Sequence, residues 1–406
     1  MAAVEQTDRA DYVVVGGGMV ADAAARGIRD RDPDGRVLVL GDDVDPPYTR
    51  PALSKKLWVD PDFTEADNDC GTAADTGAEV RTGVRVTAVD TAARTVTTDA
   101  GDVVGYGSLL LATGGRPSSG PLEPGPRVIA FRTAQDYRDL RQLAGDGRHV
   151  VVVGGSYIGT EIAAALAQND TRVTLVMPDE VLGASMFPPR LAEHFQRMFA
   201  GAGVTLRPGT RVTGGTAGDD GVEVTLDDGS TLAADAVVLG LGITPSTELA
   251  EAAGLAVDDG VVVDGTLRTS DPHVFAAGDV AQYRDPLLGV TRVEHVDNAK
   301  TMGQAVGELM AGRTEPYDHT PFFYSQVLGT RYEAVGTLDG SARTVEDWAT
   351  DAGPEGEGVV YYLDEDGRVT GVLLWDVAER VEQAKEVLAD RAPQTEEQLR
   401  GRITAG

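Results

Sequence analysis

The chain has 406 residues, 42% of them hydrophobic, and a formal net charge of −30 at pH 7. That length accommodates two or three domains with substantial cores. No apolar run reaches the roughly 18 residues a membrane span needs, and the short acidic N-terminus does not read as a targeting peptide, so a cytoplasmic location with no membrane span is expected. The 65 acidic residues face 35 basic ones, only four of them lysine. Such a surface repels nucleic acid and anionic lipid. It suits a halophilic interior, where molar salt screens self-repulsion beyond roughly 3 Å. A single cysteine, Cys70, excludes an internal disulfide and a Cys-x-x-Cys relay and reads as incidental.

In chain order, the β-branched run at 12–15 meets Gly16, Gly17 and Gly18 and then a small-residue stretch, a strand–turn–helix in the pattern G-x-G-x-x-A with Ala21 in the third place. Glycines let such a turn close and let a pyrophosphate approach the backbone, where the helix N-terminus offers free N–H groups. A helix is predicted over 19–31 and a second strand over 36–40, followed by Asp42. An acid about 20 residues beyond the turn is placed to bond a ribose hydroxyl. The stretch 47–58, PYTRPALSKKLW, holds two of the lysines, with a helix predicted after Pro51. Residues 60–80 read as irregular; strands follow near 78–81, 85–89, 95–98 and 108–112, the last ending in Thr113-Gly114. The stretch 117–126, rich in Pro, Gly and Ser, reads as a crossing between domains.

The motif then repeats. A strand at 149–153 meets Gly154-Gly155-Ser156-Tyr157-Ile158-Gly159, a helix runs over 157–168, a strand over 172–177, and Asp179 and Glu180 follow. Ser156 replaces the middle glycine, which makes this loop less ideal than the first. Two copies of one phosphate-binding unit imply two nucleotides. Short strands fill 204–238, an apolar strand at 236–242 ends in Gly242, and VFAAGD at 274–279 ends in Asp279. Apolar spacing predicts a helix over 296–310. From about 317 the pattern changes to antiparallel strands, the last pair turning at Asp366-Gly367, with a short loop at 345–358 and a helix over 378–389.

The order of G-x-G-x-x-A, RPALSK, ATGG, the second glycine loop and Gly278-Asp279, with VEHVDNA, YEAVG and GVLLW, resembles the two-dinucleotide-fold flavoprotein reductases. The likeness is to apoptosis-inducing factor and its microbial relatives, with ferredoxin and rubredoxin reductases next. It implies an α/β architecture: two Rossmann-like domains, one for FAD (1–120 and 243–316) and one for NAD(H) (121–242), and a C-terminal α+β domain (317–406). It implies FAD contacts at Gly16, Gly18, Ala21, Asp42, Arg50, Lys55, Val86, Thr113, Gly114, Arg132 and Asp279. NADH contacts are implied at Gly155, Ser156, Tyr157, Ile158, Asp179 and Gly242.

By the same resemblance Glu161 stands beside Lys55 at the flavin, where the lysine favours an electron-rich ring and the carboxylate keeps it oriented and charged. Glu294 and His295 are implied near flavin and nicotinamide, and Glu333 and Trp375 on the nicotinamide side. Plainer roles stay open at this point: Arg50 as a loop cap, Arg132 on the surface, Lys55–Glu161 as an interdomain salt bridge, His295 as packing, Glu333 and Trp375 as core. Carboxylates near the ribose bond a 2′-hydroxyl and repel a 2′-phosphate, and no arginine lies in 173–181, so NADH is expected over NADPH, although Arg190 could still reach in.

The expected activity is an FAD-dependent oxidoreductase that takes hydride from NADH and passes electrons to an acceptor such as a quinone, an iron–sulfur protein or oxygen. Two alternatives stay open: a ferredoxin or rubredoxin reductase proper, and an NADH-sensing binding protein with slow turnover whose assembly, for instance as a homodimer, follows its redox state. No cysteine cluster or haem motif offers a second redox centre, and no metal site is expected.

Overall fold

The computed structural model describes residues 8–351 and 353–404. Contacts divide the chain into two compact units. One is built from the segments ending at Arg50, Thr64–Arg116 and Thr244–Pro321, the other from Pro51–Phe63, Pro117–Ile243 and from Phe322 onward.

In the first unit the strand Asp8–Val15 lies between Val37–Leu40 and Val103–Leu111, parallel to both, with Val15 opposite Leu40 and Leu111. Glu79–Arg81 extends the parallel edge beyond Val37–Leu40, and Val274–Ala276 pairs with Val103–Leu111 on the other side. The strand Val37–Leu40 is buried along its whole length, as a parallel strand covered on both faces must be. Thr95–Thr98 and Val86–Asp90 add an antiparallel meander. The helices Met19–Arg29 and Val296–Met310 pack closely because small residues line the contact, Ala23 and Ala24 against Gly303 and Gly307.

The second unit holds a five-stranded parallel sheet in the order Thr205–Arg207, Arg172–Val176, His149–Val153, Ala236–Leu239, Val128–Ala130. An antiparallel meander follows, Val212–Ala217, Val222–Leu226 and Thr231–Ala234. The C-terminal sheet is antiparallel throughout, in the order Phe323–Val327, Thr330–Gly336, Val369–Trp375, Gly358–Leu363, Arg343–Trp348. Its core side joins the helix Pro189–Gly201 through stacked rings. Trp375 lies parallel to Tyr332 at 5.7 Å, and both meet Phe187 and Phe195 edge-on. The segment Pro51–Phe63 is strapped to this unit. Trp58 meets the Tyr137 ring edge-on, Tyr137 Oη donates to the Leu57 carbonyl at 3.1 Å, and Asn169 Nδ2 donates to the Trp58 carbonyl at 3.1 Å.

The elements around the two glycine turns form where their local signals put them. Other parts depart from the sequence reading. The helix expected after Pro51 is a 3-10 turn, Arg50–Ser54, and one α-turn, Lys56–Val59, broken at Lys55 where φ is −132°. The stretch read as irregular contains the helix Thr72–Thr76, and the one read as a loop at 345–358 overlaps the strand Arg343–Trp348. Besides Thr72–Thr76 and the single turn Glu396–Leu399, the sequence reading misses three helices among the described residues. Ala134–Leu143 opens with a reciprocal cap between Thr133 and Asp136, and Pro189–Gly201 starts with Pro at its first position and buries Leu191, Ala192, Phe195 and Phe199. The third is Glu248–Ala252.

Candidate active site

In the first unit the turn after Asp8–Val15 has the geometry its glycines require. Gly16 has φ +116°, and a β-carbon there would run into the Ala112 carbonyl. Gly18 caps Met19–Arg29 with no side-chain hydrogen bond, and no atom lies within 4 Å of where its β-carbon would stand. The first helical N–H groups therefore face open space with a partial positive charge, a cradle for a phosphate. Ala21, buried against the sheet, completes the turn. Gly41 approaches Gly17, which brings Asp42 to the same turn. The Asp42 carboxylate is exposed and pairs with Arg85 at 2.9 Å, next to the buried Val86.

Thr113 Oγ1 donates to the Ser246 carbonyl at 2.8 Å, and the Ser246 N–H donates to the Gly114 carbonyl at 2.9 Å, fixing the loop that follows Val103–Leu111. Gly278 packs against Val20 in the first turn of Met19–Arg29, so Asp279 also reaches this end of the sheet. Arg292, which the sequence reading passes over, donates to the Asp279 carbonyl at 3.1 Å and pairs with Glu294 at 2.5 Å. The Arg50 guanidinium lies 5.5 Å from the Tyr48 ring centre. His295 has a structural part of its own: it is the N-cap of Val296–Met310, Nδ1 accepting from the Asp297 N–H at 3.3 Å. The neighbouring pair His319 Nε2–Asp297 Oδ2, 2.6 Å, has no signal in the local sequence. Cys70 is half-buried and its thiol is pushed up to about 11, chiefly by burial, in keeping with an inert side chain.

The second unit repeats the turn. Gly154 has φ +109°, with the Gly240 carbonyl where a β-carbon would go. Ser156 caps Tyr157–Ala167 without bonding its N–H groups; its hydroxyl turns aside and donates to the Gly240 carbonyl at 2.9 Å. The serine thus leaves the helix end as open as glycine does. Gly155 and the exposed Ile158 flank this end, and Gly242 follows Ala236–Leu239 with φ +82° and open space around it. Asp179 and Glu180 lie beyond Arg172–Val176, next to Gly209. Arg190 packs against Gly353. The cation that pairing brings to this strand end is Arg207, opposite Val176 on the next strand. Arg132 precedes Ala134–Leu143, its N–H bonded to the Asp136 carboxylate at 2.9 Å.

Lys55 and Glu161 meet in this unit. Lys55 Nζ lies 2.6 Å from Glu161 Oε1, with the lysine side chain 17% exposed and the glutamate 4%. Ser54 Oγ donates to Oε2 at 2.6 Å and Ser325 Oγ to Oε1 at 2.7 Å. Neither serine is among the residues singled out from the sequence. Ser54 is flagged only by its place in PALSK, and Ser325 stands 164 residues from its partner. Tyr324, next to Ser325, lies between two cations, Lys55 at 5.8 Å and Arg331 at 5.6 Å from the ring centre. Burial, and then the charge of Glu161, raise its phenol above the ordinary value. Tyr157 packs edge-on against Phe323 and stacks on Tyr332; its phenol too is raised, chiefly by burial. Glu333 is buried and pairs with Arg331 through Oε1, while its Oε2 has no partner among the described residues. Trp375, expected on the nicotinamide side or in the core, is core: it is 1% exposed and enclosed by rings.

Both uncapped glycine turns fit dinucleotide phosphates, one in each unit. Residues 10–303 match the sequence profile described as Pyridine nucleotide-disulphide oxidoreductase. The chain belongs to this family. As a member it is an oxidoreductase that works with FAD and NAD(H). With one cysteine it has no redox disulphide of its own.

Among curated relatives, the chain is 30% identical to a putative mitochondrial apoptosis-inducing factor 1 of Drosophila melanogaster over 93% of its own length and 63% of that protein's. It is 32% identical to the ferredoxin–NAD(+) reductase component of the anthranilate 1,2-dioxygenase system of Burkholderia cepacia, over 96% of each. Among solved structures, a chain from the covalent putidaredoxin reductase–putidaredoxin complex superposes with a TM-score of 0.85 at 31% identity, covering 95% of this chain and 94% of that one. Among the described residues no group of ligating side chains suits a metal ion, and no helix is long and apolar enough to cross a membrane.

Proposed function

We propose that this oxidoreductase takes reducing equivalents from NADH through FAD and delivers them to an iron–sulfur protein. The observation that carries the reading is the buried Lys55–Glu161 pair in a chain with two open glycine turns. The coextensive likeness to a ferredoxin–NAD(+) reductase component supports the choice of acceptor. FAD, when bound, supplies the hydride acceptor and the means of passing electrons onward. The turn Gly16–Ala21 would hold its pyrophosphate and Asp42 its ribose, with Arg50, Val86, Thr113, Gly114, Arg132 and Asp279 as further contacts. Gly155–Ile158, Asp179 and Gly242 would hold NADH.

Lys55 supplies a positive charge where negative charge develops, and Glu161 keeps that ammonium aimed. The acidic pair Asp179–Glu180 favours a 2′-hydroxyl over a 2′-phosphate, with Arg207 as the residue to replace if NADPH proves competent.

The test is direct. The purified protein should bind FAD and bleach near 450 nm on anaerobic addition of NADH, on the order of tenfold faster than with NADPH. A ferredoxin-type protein should then reoxidise it faster than quinones or oxygen do. A protein that takes up no FAD, or FAD that NADH does not reduce, removes the proposal. The likeness to an apoptosis-inducing factor favours a second reading, a slow NADH-responsive binding protein. Slow turnover with every acceptor, together with NADH-induced dimerisation, would select it.

A further inference from the structure

Glu161 is an almost fully buried carboxylate whose two oxygens are both occupied, by donors from two distant parts of the second unit. Oε1 accepts from Lys55 Nζ and Ser325 Oγ, and Oε2 accepts from Ser54 Oγ. A carboxylate removed from water keeps its charge only where donors replace the lost hydration. Lys55 does this at one oxygen. Ser54 covers the other from the end of the turn Arg50–Ser54, next to Lys55 in the chain, and Ser325 reaches Oε1 from the strand Phe323–Val327. With both oxygens held, the carboxylate cannot rotate away from the lysine. Its acceptor edge is set by the helix Tyr157–Ala167 on one side and the C-terminal sheet on the other.

We propose that Ser54 and Ser325 are positioning residues that hold Glu161 as a fixed, charged acceptor, so that Lys55 presents its remaining N–H groups in a single direction. This rests on the proposed role of Lys55 in hydride transfer. It adds that the two serines, rather than the ion pair alone, set the lysine's orientation. Both hydroxyls are buried, so a plain packing role would require only that each find some partner. The two roles differ in what Lys55 feels.

The chain's four lysines make that readable without any activity. The holoprotein is reductively dimethylated with formaldehyde and cyanoborohydride, and each lysine is followed by mass spectrometry. Lys56, 56% exposed, is the internal standard. Lys55 should react more slowly than Lys56 in the parent. Ser54→Ala and Ser325→Ala should each raise the Lys55/Lys56 rate ratio roughly tenfold, the scale of one hydrogen bond to a charged group. Ser325→Thr, which keeps the hydroxyl, should restore it. In a Glu161→Ala background, which leaves the serines nothing to hold, the serine changes should add nothing further. At saturating NADH the rate constant for flavin reduction should fall with the same pattern while NADH affinity stays unchanged.

Unchanged labelling ratios in both alanine variants, with only a lower melting temperature, overturn the proposal, and so does a full additional effect in the Glu161→Ala background. Because labelling needs no turnover, a parent holoprotein that NADH fails to reduce refutes the functional reading separately and leaves the labelling result to decide this one.

Discussion

Neutralising Glu161 while leaving Lys55 in place tests the buried ion pair directly. At 2.6 Å and an effective dielectric near 20, the attraction between the two charges is about 6 kcal/mol. Desolvation of a carboxylate this deeply buried takes back a large share, which leaves a net coupling of about 2–3 kcal/mol. Glu161→Gln keeps both serine hydrogen bonds available, since the amide still offers one carbonyl oxygen and its NH2 can donate to the Ser54 hydroxyl. What it loses is the charge facing a mostly buried ammonium, and the expected destabilisation is about 3 kcal/mol. Lys55→Met should be of similar size. The double variant has no buried charge left without a partner, so it should be about 2–3 kcal/mol more stable than the sum of the singles implies.

The assay is urea unfolding followed by tryptophan fluorescence. All three tryptophans, Trp58, Trp348 and Trp375, lie in the second unit, so the signal reports on the unit that contains the pair. Single-variant effects that add to within about 0.5 kcal/mol would show the two charges to be energetically independent and refute the reasoning.

Gly154→Ala should cost the protein its NADH affinity by more than about tenfold, because φ +109° and the Gly240 carbonyl leave no room for a β-carbon, while FAD stays bound; equal loss of both nucleotides would contradict the assignment of this turn. Thr133→Ala should lower stability by about 1 kcal/mol through loss of the reciprocal cap, and an unchanged urea midpoint would argue that the cap carries no weight. Acid should act through Asp8, whose carboxyl is held down at about 2 by hydrogen bonds to Arg36 and Arg81. Its folded pKa lies below the ordinary 3.8, so its contribution is complete above that value and is lost as pH falls through about 2. The side chain is about a third exposed, so the contribution is modest and salt-sensitive. Thermal scans across that window should show a shallower acid limb for Arg36→Gln, with the difference shrinking at molar salt; an identical limb would assign acid sensitivity elsewhere.

The two glycine turns were legible because their signals are local. Gly16 and Gly154 occupy backbone conformations that other residues adopt poorly, and each follows an apolar run that only a covered parallel strand can use. The helix Val296–Met310 was legible for a similar reason, its apolar spacing running unbroken from end to end. Two longer helices were missed although their signals were present: the Thr133–Asp136 cap, and Pro189 ahead of Leu191, Phe195 and Phe199. Ser156 looked like a defect in the second turn. Only the position of the Gly240 carbonyl shows that its hydroxyl is drawn aside.

The pairing of Lys55 with Glu161 was implied only by the family resemblance; by itself the sequence determined two glycine turns, their order and an antiparallel C-terminal part. Sterics and hydrogen bonding within a few residues decide such features. The tertiary structure decided what surrounds that glutamate. Ser325 reaches Glu161 because Phe323–Val327 is paired into a sheet that packs beside the helix Tyr157–Ala167, and Trp375 is core because the same sheet closes over Phe187 and Phe195. Burial and partnership of a charged group depend on which distant segments arrive around it, and side-chain spacing along the chain carries no record of that.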